Sequence, residues 1–275
     1  MSDISNNNGG DAPAWVARML DRYQAAVAHG FILHFNTGDY VSPEAQEPLT
    51  TYLARILAGR QVVAIYSRDR GITFPTETMR RQALDLLGLA TREEKPDDPA
   101  LAALRAIGAA APATQQDLPR SPSEALPLLD RLLRASSLNG EDPADGGKVS
   151  AVIIEGTEFI VPDADLATMS ADDRTALATI ARWGRDPEIV AAGNPVFLVT
   201  GNLAALHRGL RAASNRYEAI EVPLPDIETR RRFIERYLEE RGTGFSVSRW
   251  PDCGDRRQCH RRPVASSRRG HLAPG

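Results

Sequence analysis

The sequence predicts an open α/β fold: a parallel five-stranded sheet with flanking helices. Two observations predict it. Five short runs rich in Val, Ile and Phe are near-continuously apolar: FILHF (31–35), VVAIY (62–66), AVIIE (151–155), PVFLVT (195–200) and AIEV (219–222). Strands read this way when helices cover both faces of their sheet. Helical patterns fill the intervals between the runs, and such alternation joins parallel strands through right-handed crossovers.

Residues 1–13 are rich in Ser, Asn and Gly, have almost nothing to bury and read as a disordered tail. Residues 14–28 place Trp15, Met19, Leu20, Tyr23 and Val27 at helical spacing, with Gly30 as the stop. Pro48 to Leu57 and Thr76 to Leu87 carry the next helical patterns. Residues 90–122 are poor in bulky apolar side chains, and SLNGEDPADGGK (137–148) reads as an exposed loop. Between them, Ser123 to Leu133 carries Leu126, Leu128, Leu129, Leu132 and Leu133. Ser170 to Trp183 opens with Ser170 and Asp173, a capping box with Asp in place of Glu. Asp226 to Glu240 starts at an N-cap residue.

The α/β domain is therefore expected over 14–244. From Phe245 to Gly275 the character changes: paired arginines, no lysine, no glutamate and no period. The expectation is a disordered basic tail foreign to the fold, as a shifted reading frame or truncated parent gene produces. An uninterrupted frame with ordinary coding statistics through Gly275 refutes it.

Composition narrows the function. Hydrophobic content of 42% and charged content of 25% are those of a soluble globular chain. A net charge of -3 gives no nucleic-acid footprint. No apolar run reaches the ~20 residues of a membrane span, and the N-terminus lacks a signal-peptide pattern. Cys253 and Cys259 are the only cysteines, so no disulfide framework supports the main domain. A cytoplasmic location is the default expectation.

The chemistry turns on the first strand's end. Phosphate loops need glycines whose N–H groups face phosphate, a lysine for the terminal phosphates and a Ser or Thr for the metal. Here the strand runs into Asn36-Thr37-Gly38-Asp39, with no lysine from Phe31 through Asp69 and an aspartate that repels phosphate. The plain reading is a tight strand-to-helix turn. Gly146-Gly147-Lys148 resembles the end of such a loop but precedes a strand, and Val149 stands where Ser or Thr is needed. In AVIIEGTEF (151–159) the strand ends in Glu155, placed to meet a hydrated metal, but Gly156 stands where a water-orienting acid belongs and Glu158 follows two later. Cys253, Cys259 and His260 lack zinc-ligand spacing. The tail arginines lack the interleaved aromatics of a nucleic-acid platform. His34 reads as a core residue, and Tyr66 to Gly71 as a loop at the sheet's carboxyl edge.

Residues 195–226 are the most specific stretch. A strand ends in Thr200-Gly201-Asn202, a short helix follows, then Asn215-Arg216-Tyr217, the strand 219–222 and Pro223-Leu224-Pro225-Asp226. This order resembles the core of AAA+ ATPases. The resemblance places Asn202 near the sensor position and Arg216 at the arginine-finger position, with Arg208 and Arg211 as rivals. It implies a P-loop NTPase-like sheet, assembly with other AAA+ modules in a homo- or hetero-oligomer, and a helical lid after residue 240, which is expected to be absent or replaced by the tail. With the phosphate-loop lysine and second acid missing, the expected function is a degenerate, non-hydrolysing module. It would assist or regulate an active ATPase partner or a domain further along a longer tandem protein. The alternatives are an active ATPase taking ATP with magnesium on an atypical Asn36–Asp39 cradle, and a plain α/β binding module for a protein or small ligand. The site residues expected are Glu155 and Arg216 for chemistry and Asn36, Thr37, Gly38, Asp39 and Asn202 for nucleotide, with no resident protein metal centre.

Overall fold

The computed structural model describes residues 13–41, 47–89, 118–135 and 149–241. The expectations made for 1–12, for most of 90–122, for 137–148 and for the tail and lid beyond 241 lie outside the described residues. Two units are distinguished, residues 1–233 and 234–275. Of the second, residues 234–241 are described, as helix.

In chain order the described helices are α1 (Ala14–Gln24), α2 (Leu49–Ile56), α3 (Glu77–Leu86), α4 (Pro122–Arg134), α5 (Ala171–Trp183), α6 (Pro187–Ala192), α7 (Arg208–Arg211) and α8 (Ile227–Arg241). The strands are β1 (Gly30–Phe35), β2 (Val62–Ser67), β3 (Gly71–Thr73), β4 (Ser150–Glu155), β5 (Val196–Thr200) and β6 (Tyr217–Val222). They form one six-stranded sheet in the order β3-β2-β4-β5-β1-β6. The five expected strands pair in parallel. The sheet is nonetheless mixed, because β3 adds an antiparallel edge to β2. The turn Arg68–Arg70 sends the chain straight back along β2. At Gly71 the backbone takes φ +77°, and a Cβ there would lie 3.0 Å from the Pro119 carbonyl oxygen, so only glycine suits the position.

Local sequence explains several helix starts. Thr76 accepts a hydrogen bond from the Met79 amide at 3.2 Å, capping α3. Ser170 does the same for Asp173 at 3.0 Å, the forward half of the expected box. Asp226 accepts from the Thr229 amide at 2.7 Å at the head of α8. The first helix stops four residues early. Ala26 takes a positive φ of 54° and turns the chain into β1, so Val27 is exposed instead of joining the apolar face.

Alternate residues of each strand enter opposite cores. One face sends Ile32, Tyr66, Val152, Ile154 and Leu198 against α4 and α5, through Leu129, Leu132, Leu133, Ile180 and Trp183. The other sends Phe31, Leu33, Val63, Ile153, Phe197 and Val199 against Trp15, Val16 and Met19 of α1 and Leu49, Tyr52 and Leu53 of α2. Two covered faces are why the strands read as unbroken apolar runs.

The amino edge of the sheet is closed by buried polar groups that find partners. Asn194 accepts from the Ser150 amide at 2.9 Å and donates to the Leu133 carbonyl at 2.9 Å. The His29 ring donates through Nε2 to the Trp183 carbonyl at 2.9 Å. Desolvation, partly opposed by that bond, holds His29 below its ordinary pKa of 6.5. His34 is only half-buried, and desolvation lowers it too, against the Glu221 charge. Below pH 6.5 the unfolded chain therefore takes up more protons than the fold, so stability falls as pH drops. The urea midpoint should be lower at about pH 5.5 than at about pH 8; an equal or higher midpoint at the acid value contradicts it.

Candidate functional site: the carboxyl edge of the sheet

Parallel sheets bind ligands in the crevice beyond the carboxyl ends of their strands, where successive connections leave in opposite directions. Here the chain leaves β1 for β2 on one side, returns through β4 and β5, and then crosses to β6 on the other. The crevice is thus bounded by the residues after β1, β4 and β5.

After β1, Phe35 takes a strained φ of +82°, which is rare for a bulky side chain. Phe35 closes β1 opposite Val222 of β6. The Asn36 amide donates to the Val222 carbonyl at 3.2 Å, and its side chain donates to the Pro223 carbonyl at 3.3 Å. Tyr40 stacks on Phe233 of α8 at 5.5 Å. In place of the expected tight strand-to-helix turn, Asn36 stays bonded to the end of β6, and among the described residues the next helix begins at Leu49.

A phosphate loop ends in Gly-Lys-Ser/Thr at the head of the helix after the first strand. At that head stand Pro48, Leu49 and Thr50. Pro48 has no N–H to offer phosphate. Leu49, where the lysine belongs, is 1% exposed and packed in the core. Only the hydroxyl of Thr50 is kept. The chain's two lysines, Lys95 and Lys148, lie outside the described residues.

After β4, both oxygens of Glu155 are engaged. Thr50 donates to Oε1, and the Arg70 guanidinium pairs with Oε2. Arg70 also reaches the Ser67 hydroxyl at 3.4 Å, and the Ser67 hydrogen bond holds the Asp69 carboxyl below its ordinary value. Glu158 turns inward. Its Oε1 accepts from the Gly201 amide at 3.1 Å, while its buried Oε2 has no partner among the described residues. A Cβ on Gly201 would lie 3.7 Å from that Oε1 and 3.9 Å from the Thr37 hydroxyl. Thr37, Glu158 and Gly201 thus share one notch, although they are far apart in sequence. Asn202, expected near the sensor position, uses Oδ1 to accept from the Ala204 amide at 2.9 Å and cap the short turn Leu203–Ala205.

Arg216 lies elsewhere. It precedes β6, at the amino edge, with φ +57° and an exposed side chain. The structure does not bring it together with Asn36–Asp39, Glu155 or Asn202 of its own chain. The rival arginines are engaged: Arg208 pairs with Asp165 at 2.8 Å and Arg211 with Asp163 at 3.4 Å. Among the described residues Arg216 has no such pair.

Thr50, Leu49 and Arg70 are the residues that sequence reasoning missed. The signal for the first two was the helix start after Pro48, from which the motif counts backward. Nothing in sequence signals Arg70, 85 positions from Glu155. As they stand, these residues do not fit a magnesium nucleotide: the phosphate cation is replaced by a buried leucine, and the acid that would meet metal is already paired. Among the described residues no group of three His, Cys, Asp or Glu side chains is placed to hold a metal ion, and no helix is long and apolar enough to cross a membrane.

No curated protein matches the chain. Among solved structures, a chain of the Escherichia coli MS115-1 HORMA:CdnC:Trip13 complex aligns with a TM-score of 0.42 at 14% identity. The alignment covers 84% of this chain and 59% of that one, so this chain spans less than two thirds of the length of that chain. The family described as AAA+ chaperone, N-terminal Rossmann-like domain, matches residues 7–223, which take in every strand of the sheet, and the chain belongs to that family.

Proposed function

We propose that this domain is a non-hydrolysing AAA+ module that acts in assembly or regulation beside an active ATPase, on a partner or further along a longer chain. The observation that carries the reading is the head of α2, with Pro48 lacking a donor and Leu49 buried where a lysine would meet phosphate. Phosphoryl transfer rests almost wholly on positioning and charge compensation. Asp39, exposed two residues after Thr37, adds a negative charge instead. In this reading Arg216, exposed at the far edge, is the group offered to a neighbouring AAA+ module; such a finger is worth ~10³–10⁵ in rate.

One observation favours a second reading, an active ATPase with an unorthodox cradle at Asn36, Thr37, Gly38 and Asp39. The Thr37 hydroxyl faces the notch that also holds Glu158 and Gly201. Calorimetric titration with ATP, with and without magnesium, decides between the two. No saturable binding below about 1 mM is expected, since a site of that weakness yields only ~4 kcal/mol. Micromolar, magnesium-dependent binding, or turnover lost in Glu155→Gln, would establish the second reading and end the first.

A further inference from the structure

We infer that Arg70 is the resident counter-ion of Glu155, standing in the place of a divalent cation, so that this corner of the carboxyl edge is set without metal or nucleotide. The inference rests on the non-hydrolysing reading and gives the site's remaining acid a role within it. A carboxylate at the end of a buried strand needs its charge met, because desolvated unpaired charge is costly. Glu155 meets it internally. Its two oxygens face two different elements: Thr50 at the head of α2 and Arg70 in the turn between β2 and β3. One carboxylate therefore ties β4, α2 and the β2–β3 turn at a single point.

A fixed guanidinium does at this point what a hydrated metal does elsewhere. It supplies positive charge and directional contacts. It differs in being permanent, since arginine does not deprotonate in proteins. Arg70 itself is well exposed, with a side-chain accessibility of 60% against 22% for Glu155. Hard divalent cations take oxygen ligands, and magnesium sites use one or two carboxylates with several waters and substrate phosphates. Once the guanidinium is gone, the oxygen ligands left for such an ion are Glu155, the Thr50 hydroxyl and the Asp69 carboxylate, which lies 3.9 Å from the Arg70 Nε.

The test uses manganese as the probe, followed by paramagnetic resonance and by thermal unfolding of the full chain. Wild type should show no saturable manganese site. Arg70→Ala should unfold about 3 °C or more below wild type. It should also gain one manganese site, recover part of the lost melting temperature in manganese, and lose both effects in the Arg70→Ala, Glu155→Gln double variant. Arg70→Lys retains a positive charge and should exclude manganese as wild type does. Should Arg70→Ala not fold, Arg70→Gln carries the same expectation with a polar side chain of similar reach. A manganese site in wild type that vanishes in Glu155→Gln would overturn the inference, as would a folded Arg70→Ala with no cation response. Failure of the broader reading looks different: wild type would bind ATP while Glu155 still excluded manganese.

Discussion

Replacing Arg60 with alanine is expected to be among the most damaging single changes to the domain, costing ~2–4 kcal/mol of unfolding free energy through lost hydrogen bonds and packing. Arg60 is 5% exposed, which is unusual for an arginine. Its guanidinium donates to the Ser150 carbonyl at 2.8 Å, the Gly193 carbonyl at 3.2 Å and the Tyr23 hydroxyl at 2.8 Å. Those acceptors stand at the entrances to β4 and β5 and on α1, so one planar group fastens three elements at the amino edge. Burial pulls Arg60 below the usual arginine range, with Tyr23 opposing that shift, so much of the bond energy offsets desolvation. Removing the side chain takes the guanidinium donor from the Ser150 carbonyl, while the Gly193 carbonyl keeps the Tyr23 hydroxyl as donor at 2.7 Å; a buried acceptor left unpaired costs ~1–3 kcal/mol where water cannot reach. Lysine should rescue little, because an ammonium cannot span the same fork. Chemical denaturation measures the effect; a loss below about 1 kcal/mol would mean that water replaces the guanidinium.

Trp183→Ala should cost a similar amount, ~3–5 kcal/mol, for a different reason. Trp183 ends α5, is fully buried and fills the core between α4, α5 and the sheet. Its indole Nε1 donates to Asp130 at 2.7 Å. Asp130 also receives Arg134 at 2.9 Å and Arg182 at 2.8 Å, so the indole is held inside a charged cluster at the rim. The surroundings have little room to collapse into the space left behind. The next residue, Gly184, would place a Cβ 2.0 Å from the Asn215 carbonyl oxygen and 2.7 Å from the Tyr217 ring. Trp183→Phe separates the causes: it keeps most of the volume and loses the Asp130 bond, so it should cost clearly less than alanine. Equal losses for the two variants would place the effect in the hydrogen bond.

The sheet was largely legible because its signal is short-range. Each of the five apolar runs lies in a parallel strand, and Thr76, Ser170 and Asp226 cap the helices as their side-chain chemistry requires. Strand β3 escaped notice because three residues carry no period; pairing with β2 makes it a strand. The short helix α6 was missed despite Asp186-Pro187 at its head, a good start signal followed by too few residues to show a repeat. The site was harder to read. Glu155 was legible as a strand-end acid, but its state depends on Arg70 and Thr50, which only the tertiary fold brings to it. Asn36–Asp39 looked like a strand-to-helix turn because a tight connection is the default after a buried strand. In the structure Asn36 stays hydrogen-bonded to the end of β6 and the next described helix starts at Leu49. Asn202 illustrates the reverse: a residue type suited to sensing is used to cap its own turn.

The place of β1 in the sheet bears on how the polypeptide is made. Its neighbours are β5 and β6, with Phe31 beside Phe197 on one side and Glu218 on the other. A ribosome releases β1 long before either neighbour exists. Through most of synthesis Phe31, Ile32 and Leu33 have no strand to join, and the nascent chain must be kept from sticking to itself or to others. Parallel pairings this distant are slow to find, because a long loop must close before any contact rewards it. Stalled or shortened products that stop before residue 217 would leave β1 open along one side, a ready target for holding factors and proteases.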